Sequence, residues 1–320
     1  MMVRLKRALA LCLVLFCLLP LFLGCQSGSD SDKLQVVCSV FPLYDWMRNI
    51  VGDSETVEVS LLIQNGSDLH SYQPSAEDMI RLASADLVFF VGGASDAWLE
   101  EALTVHASDS RVDVKLTEVP DIRLREICSD SADAHHGHEH GAIDEHLWLS
   151  LANAKTASSY LCDLLCGLDE QGADAYRENY TAYSASLDAL DLEYSALVSS
   201  VDAPMLLCAD RFPFVYLAED YGIDYIAAFE GCSTDANATP DTILRLAGAL
   251  DEHGLHAVIV TERSDGQLAN SVLAASRSKD QTVLSLDSMQ SVTGAEAADG
   301  ADYISIMKKN LEALRLALVP

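Results

Sequence analysis

The side chains of this sequence best suited to chemistry are its histidines. Four of them form one dense tract, consisting of His135, His136, His138 and His140. A fifth, His146, follows directly after Asp144 and Glu145. Neutral imidazole is a leading ligand for zinc and its neighbours in the transition series, so this density indicates metal binding before any fold is considered.

A further histidine, His70, lies in a polar segment, residues 65–74, between a predicted strand and a predicted helix. In α/β domains, ligand-binding groups collect in the loops after the carboxyl ends of strands, so His70 is well placed for metal. A surface histidine without function is the alternative for His70 taken alone. The carboxylates next to His146 are suited to orient its imidazole, as metal-bound histidines require.

The elements that position these residues alternate between short apolar runs and amphipathic stretches. Strands are predicted at residues 35–39, 57–63, 87–91 and 112–116, and again at 205–209, 225–229, 257–261 and 282–286. Helices are predicted near residues 42–51, 76–83, 97–105, 214–221, 242–253, 266–276 and 303–317. This alternation predicts an α/β fold of two lobes, each built on a parallel four-stranded sheet.

A long helix is predicted between the two lobes, at residues 173–201. Its apolar side chains recur in steps of four and three: Tyr176, Tyr180, Tyr183, Leu187, Leu190, Tyr194, Leu197 and Val201. Such a helix is about 43 Å long at 1.5 Å per residue. A coiled-coil dimer is the alternative, but tyrosine prefers sites where one end stays in water, which favours a stiff strut behind two lobes.

The N-terminus has the pattern of an export signal. Arg4, Lys6 and Arg7 precede an apolar run, residues 8–23, which ends at Gly24-Cys25. A transmembrane anchor is the alternative, but the run is short and Pro20 interrupts it. We therefore predict a lipoprotein signal peptide at residues 1–25, acylation at Cys25 and a flexible tether at residues 26–33.

Composition limits the classes of function. The chain has 320 residues, half of them hydrophobic, enough for one large core or two ordinary ones. Its 49 acidic and 20 basic residues give a net charge of -29, which disfavours nucleic acid as a partner. Six cysteines follow Cys25, and their spacing leaves any disulfide connectivity open. Cys162 and Cys166, four residues apart, lie on one face of a predicted helix.

Several motifs, in order, resemble the solute-binding proteins of zinc and manganese ABC transporters. Residues 41–46 are similar to that family's opening helix, and residues 66–74 to its G-x-D-x-H-x-Y-x-P motif. Residues 144–148 resemble its D-P-H-x-W motif, with Glu145 in place of proline. Shorter matches lie at residues 85–87, 96–99 and 303–311, so the resemblance covers residues 35–318.

The resemblance implies a first lobe at residues 34–168, a linking helix at 169–202 and a second lobe at 203–320, with the metal bound between the lobes. Two of the family's ligands fall on His70 and His146, and the fourth falls on Asp287. The third falls on Arg211, which cannot bind a metal. The candidates near these positions are Asp210 as replacement ligand, Arg211 and Glu145 as orienting groups, and Glu230 and Glu262 as reserve ligands.

An Asp210–Arg211 salt bridge that closes the cleft is the alternative for this pair. The histidine tract within residues 130–143 resembles a loop found in many zinc members of the family, and such a loop would capture zinc weakly and pass it on. A disordered acidic loop without function is the alternative here.

We therefore expect a lipid-anchored, extracytoplasmic, monomeric receptor that binds Zn²⁺ and delivers it to an ABC permease without catalysis. Mn²⁺ is the alternative cargo, because two imidazoles and two carboxylates form a mixed ligand set. An exported zinc-dependent hydrolase and a surface adhesin are the alternatives from other classes. The sequence contains no H-E-x-x-H motif that would support the hydrolase.

Overall fold

Two separate four-stranded parallel sheets organise the protein. The computed structural model describes residues 33–67, 69–126, 143–229 and 238–319. The first sheet consists of β1 (Leu34–Cys38), β2 (Val57–Leu61), β3 (Leu87–Phe90) and β4 (Val112–Lys115) in the order β2-β1-β3-β4. All of its strand pairs are parallel.

The second sheet repeats this arrangement. It consists of β5 (Met205–Arg211), β6 (Asp224–Phe229), β7 (Ala257–Thr261) and β8 (Thr282–Leu286) in the order β6-β5-β7-β8. Its strand pairs are also parallel. The predicted α/β fold with two four-stranded parallel sheets is therefore confirmed, and both sheets place the carboxyl end of their first strand at an interior position.

Ten helices lie in the described residues, and all but the fourth and the ninth fall close to predicted ranges. They are α1 (Phe41–Val51), α2 (Ala76–Ser84), α3 (Ala97–Val105), α4 (Leu151–Leu168), α5 (Ala173–Ser199), α6 (Val215–Tyr221), α7 (Pro240–Glu252), α8 (Gln267–Ala275), α9 (Gly294–Ala298) and α10 (Tyr303–Leu318). Helix α4 carries Cys162 and Cys166, which are free thiols, as are Cys38 and Cys208 among the described residues. Within the described ranges, no helix is both long and apolar enough to cross a membrane.

Helix α9 lies outside the predicted set. Its N-terminus is a capping box, in which the Thr293 hydroxyl accepts from the backbone N–H of Glu296 and the Glu296 carboxylate accepts from the backbone N–H of Thr293. This spacing is visible in the sequence. The helix has only five residues, too few for an apolar period to stand out.

The long helix α5 buries the predicted stripe against both halves of the chain. It packs on α1 and α4 from the first half and on α6 and α10 from the second. The expectation that its tyrosines keep one end in water is wrong for Tyr194, which is fully buried and donates its hydroxyl to the Met307 carbonyl at 2.7 Å. The Met307 carbonyl takes the place of water as the acceptor for the Tyr194 hydroxyl. The limits of the two lobes stay a prediction, because helices from both halves share this packing.

Candidate metal centre

A cavity of about 430 Å³ contains the two histidines that the sequence analysis singled out. From the first half of the chain, Gly66, His70 and His146 line it. From the second half, the lining residues follow or end the strands β5, β7 and β8: Asp210, Arg211, Pro213, Thr261, Glu262, Arg263, Ser264, Asp265, Ser288, Gln290 and Ser291. Residues far apart in the sequence thus meet at one polar site.

His146 is held in a fixed orientation by Asp144. The Asp144 carboxylate oxygen Oδ1 accepts from the backbone N–H of His146 at 2.9 Å and lies 2.8 Å from the ring nitrogen Nδ1. The ring is 1% exposed and packs edge-on against Trp148, with centroids 5.4 Å apart. A proton held on Nδ1 by the carboxylate leaves the metal-binding lone pair on Nε2.

The electrostatics of this pair favour an ionised carboxylate. Burial acts to raise the pKa of Asp144, but the charge of His146 and the hydrogen bonds from its ring and backbone hold that pKa below its ordinary value. Asp144 therefore remains an acceptor for the imidazole. This is the arrangement by which a carboxylate increases the basicity of a ligating histidine.

His70 lies in a 3₁₀ turn, Leu69–Ser71, and its ring is held by two other residues. Its Nδ1 lies 2.6 Å from the Ser95 hydroxyl oxygen and 3.3 Å from Oε2 of Glu145. The rings of His70 and His146 face each other with centroids 5.5 Å apart at an interplanar angle of 61°. Asp144 and Glu145, adjacent in sequence, thus each contact the Nδ1 atom of a different histidine.

Glu145 reaches His70 only because residue 93 is a glycine. The carboxylate is buried and accepts from the backbone N–H of Ser95 at 2.8 Å. A Cβ atom added to Gly93 would lie 2.2 Å from Oε1 and 2.4 Å from Cγ of Glu145. Sequence reasoning placed Glu145 beside His146 and missed Ser95 and Gly93, since no motif marks them.

Asp210 lies at an irregular point of β5, where the register with β6 shifts between Cys208 and Arg211. Its carboxylate accepts from the Thr261 hydroxyl at 2.8 Å and from the backbone N–H of Arg211 at 2.8 Å. These bonds hold the side chain at the carboxyl edge of the second sheet, on the cavity wall.

Glu262, which follows β7, and Asp287, which follows β8, differ in their position relative to the cavity. Glu262 lines the cavity and accepts from the backbone N–H and hydroxyl of Ser288 at 3.0 and 2.8 Å. Asp287 is absent from the described lining residues, and its carboxylate accepts from the backbone N–H of Met289 at 2.8 Å. Burial, together with the negative charge of Glu262, raises the pKa of Asp287 to about 6.

The described residues bring two histidines together but no complete ligand set. Within residues 33–67, 69–126, 143–229 and 238–319, no three His, Cys, Asp or Glu side chains form a group that could hold a metal ion. The other candidates lie outside these ranges: His135, His136, His138, His140, Glu230 and Cys25.

Comparison with known proteins places this arrangement in a family. The model of the family described as "Zinc-uptake complex component A periplasmic" matches residues 36–317. The chain is 28% identical over 309 residues to the zinc-binding lipoprotein AdcA of Streptococcus pneumoniae serotype 4, a match covering 95% of this chain and 60% of that protein. The chain thus spans about three fifths of that relative's length.

Two further matches agree. The chain is 25% identical over 300 residues to the high-affinity zinc uptake system protein ZnuA of Bacillus subtilis strain 168, covering 92% of this chain and 90% of that protein. The crystal structure of the Zn(II)-bound ZnuA-like domain of S. pneumoniae AdcA superposes with a TM-score of 0.72 at 25% identity, covering 90% of this chain and all of that one. The chain belongs to the zinc-uptake complex component A periplasmic family, whose model matches it from residue 36 to residue 317.

Proposed function

We propose that this protein is an extracytoplasmic receptor that binds zinc tightly and delivers it to an ABC permease. The observation that carries the proposal is the pair of imidazoles, His70 and His146, which face each other on a polar cavity. Nδ1 of His146 is hydrogen-bonded to the Asp144 carboxylate, and Nδ1 of His70 is hydrogen-bonded to the Ser95 hydroxyl, with the Glu145 carboxylate 3.3 Å away. The carboxylate on Nδ1 of His146 leaves its Nε2 to bind a metal, and the ring of His70 faces the same cavity. Membership of the family and the zinc-binding relatives support the same function.

The proposed protein ligands are His70, His146 and Asp210. Asp210 takes the place of the third family ligand, because the arginine at position 211 has no lone pair to offer. Asp287 stays our candidate for the fourth position on the resemblance. Glu262, which lines the cavity, is the alternative on geometry. Either carboxylate adds negative charge beside a divalent ion.

Manganese is the alternative cargo. Two imidazoles with carboxylate oxygens form a set that manganese tolerates, whereas a tract of four histidines favours zinc. We propose zinc on the strength of this tract and of the relatives' zinc binding. Attachment to the membrane by a lipid on Cys25, and a monomeric state, are also proposals. The lipoprotein among the relatives supports the anchor.

Stoichiometric binding without turnover separates this function from an exported hydrolase. Catalytic zinc keeps an open coordination position for water, whereas a receptor closes it. Protein purified without added metal should contain zinc close to one equivalent, and competition titration should rank zinc above manganese. Zinc-dependent hydrolysis of a peptide or phosphoester would instead identify an enzyme. Binding to a host matrix protein would identify an adhesin.

Deleting residues 134–140 should leave the tight zinc site intact and remove additional, weaker zinc equivalents. The deleted segment holds four histidines, and the proposed ligands His70, His146 and Asp210 lie outside it in the sequence. Zinc titration followed by metal analysis of the deletion variant and the wild type would measure both classes of site. Loss of the tight site on deletion would place these histidines among its ligands and contradict the prediction.

A further inference from the structure

The segment that carries His146, residues 144–150, is held at both ends by helix α6 of the second half of the chain. Two hydrogen bonds make this connection: the Tyr216 hydroxyl donates to the Asp144 carbonyl at 2.8 Å, and the Ser150 hydroxyl donates to the Asp220 carboxylate at 2.5 Å. His146 itself belongs to the first half. Its segment is therefore supported from the opposite half of the molecule.

Tyr216 forms the connection that lies nearer to His146 in the sequence. Its side chain is 1% exposed, and its hydroxyl also accepts from the backbone N–H of Arg125 at 3.0 Å. The Arg125 carbonyl in turn accepts from the backbone N–H of Asp144 at 2.8 Å. The Tyr216 hydroxyl thus bridges two neighbouring stretches of backbone, as an acceptor from one and a donor to the other.

The residue that Tyr216 fixes is the one that orients the histidine. Asp144 offers its carbonyl to Tyr216 and its carboxylate to His146, where Oδ1 accepts from the backbone N–H and lies 2.8 Å from Nδ1. All three residues are at most 2% exposed, and hydrogen bonds in such an interior are stronger than in water. A shift of the Asp144 backbone would therefore move the carboxylate and, with it, the imidazole.

The hydroxyl cannot be removed without consequence for this backbone. A buried N–H or C=O that loses its partner bears the full cost of its desolvation. With phenylalanine at position 216, the Arg125 N–H and the Asp144 carbonyl would both lose the hydroxyl that now lies between them. The two groups could pair with each other only if the backbone moved, and that movement would displace Asp144.

We propose that Tyr216 is a positioning residue for the metal site. Its hydroxyl fixes the Asp144 backbone, so that the His146 imidazole takes its metal-binding orientation only when α6 is packed against residues 144–150. The inference rests on the proposed zinc function of this site. It makes the strength of a ligand from the first half of the chain depend on contact with the second half.

The zinc affinity of Tyr216→Phe, measured by competition titration, tests this inference. It should be about tenfold lower than that of the wild type, at the low end of the loss that follows removal of a group supporting a metal-bound histidine. Tyr194→Phe is the matched control, because Tyr194 is as deeply buried and its hydroxyl also donates to a backbone carbonyl, that of Met307, at 2.7 Å. This control removes the same kind of hydrogen bond from α5 and should retain wild-type zinc affinity.

Cobalt, used as a spectroscopic substitute for zinc, separates positioning from general stability. At saturating Co²⁺, the visible absorption bands, which report the coordination geometry, should change in Tyr216→Phe and stay as in the wild type in Tyr194→Phe. Urea unfolding of both variants checks that each is folded in the titrations.

Three results would overturn the inference: wild-type zinc affinity in Tyr216→Phe, an unchanged cobalt spectrum in that variant, or equal losses of zinc affinity in the two variants. Each of them would leave zinc binding by the wild type in place. Failure of the wild type to bind zinc would instead overturn the proposed function itself.

Discussion

Replacing His146 or His70 with alanine should abolish high-affinity zinc binding. Loss of an outer hydrogen-bonding partner of a metal ligand already costs about 10–100-fold in affinity, and loss of a ligand itself should cost more. Each variant should also lose the thermal stabilisation by zinc, which for the wild type reaches about 4 kcal/mol at a zinc concentration 1,000 times Kd. Competition titration and thermal unfolding with and without zinc would measure both effects.

The control for these variants is His106→Ala. His106 is exposed at the C-terminal end of α3, so its removal should change neither affinity nor stabilisation. Asp144→Asn, which keeps the shape but removes the charge facing His146, should give an intermediate loss. Wild-type affinity in either histidine variant would remove that residue from the ligand set.

Replacing Trp148 with alanine should lower the free energy of unfolding by about 3–5 kcal/mol, the usual cost of truncating a buried tryptophan. The side chain is fully buried, and its indole N–H donates to the Ser288 carbonyl at 2.8 Å. The Trp148 carbonyl in turn accepts from the Tyr303 hydroxyl at 2.6 Å. Truncation therefore opens a cavity and also removes a hydrogen bond between the two halves of the chain.

Replacing Trp148 and Trp98 separately with phenylalanine distinguishes the cost of the lost hydrogen bond from the cost of the cavity. Trp148→Phe should cost about 1–3 kcal/mol, because a buried carbonyl loses its donor. Trp98→Phe is the matched control, since the Trp98 indole N–H has no hydrogen-bond partner among the described residues. Urea unfolding of both variants would measure the difference. Equal costs for the two would show that the bond to Ser288 contributes nothing.

Most strands and helices could be predicted from the sequence, because the patterns that specify them involve residues close together in the chain. Buried parallel strands such as β3 consist of apolar runs. The N-terminus of α2 is marked by a capping box formed by Ser75 and Asp78. The C-terminal end of β5 could not be predicted in this way. It extends to Arg211 through a register shift against β6, and such a shift depends on the partner strand.

The hydrogen-bonding partners of the two histidines were predictable only where partner and histidine are neighbours in sequence. Asp144 contacts His146 two positions away, so the motif itself indicated the pair. The contact between Glu145 and His70 joins residues from separate segments of the chain. It also depends on Gly93, which lies on a third segment and leaves space for the Glu145 side chain. Adjacency in sequence instead favoured Glu145 as a partner of His146. Only the folded structure shows that the Glu145 carboxylate contacts His70.

The close approach of Glu145 to Gly93 links two positions in the evolutionary history of this protein. Any side chain at position 93 would collide with the Glu145 carboxylate, so a mutation there is tolerable only after residue 145 has become shorter or has turned away. The observed placement of the Glu145 side chain beside His70 therefore requires glycine at position 93. Across related sequences, a glutamate at position 145 should accompany a glycine at position 93, whereas chains with proline at 145 should be free to vary at 93.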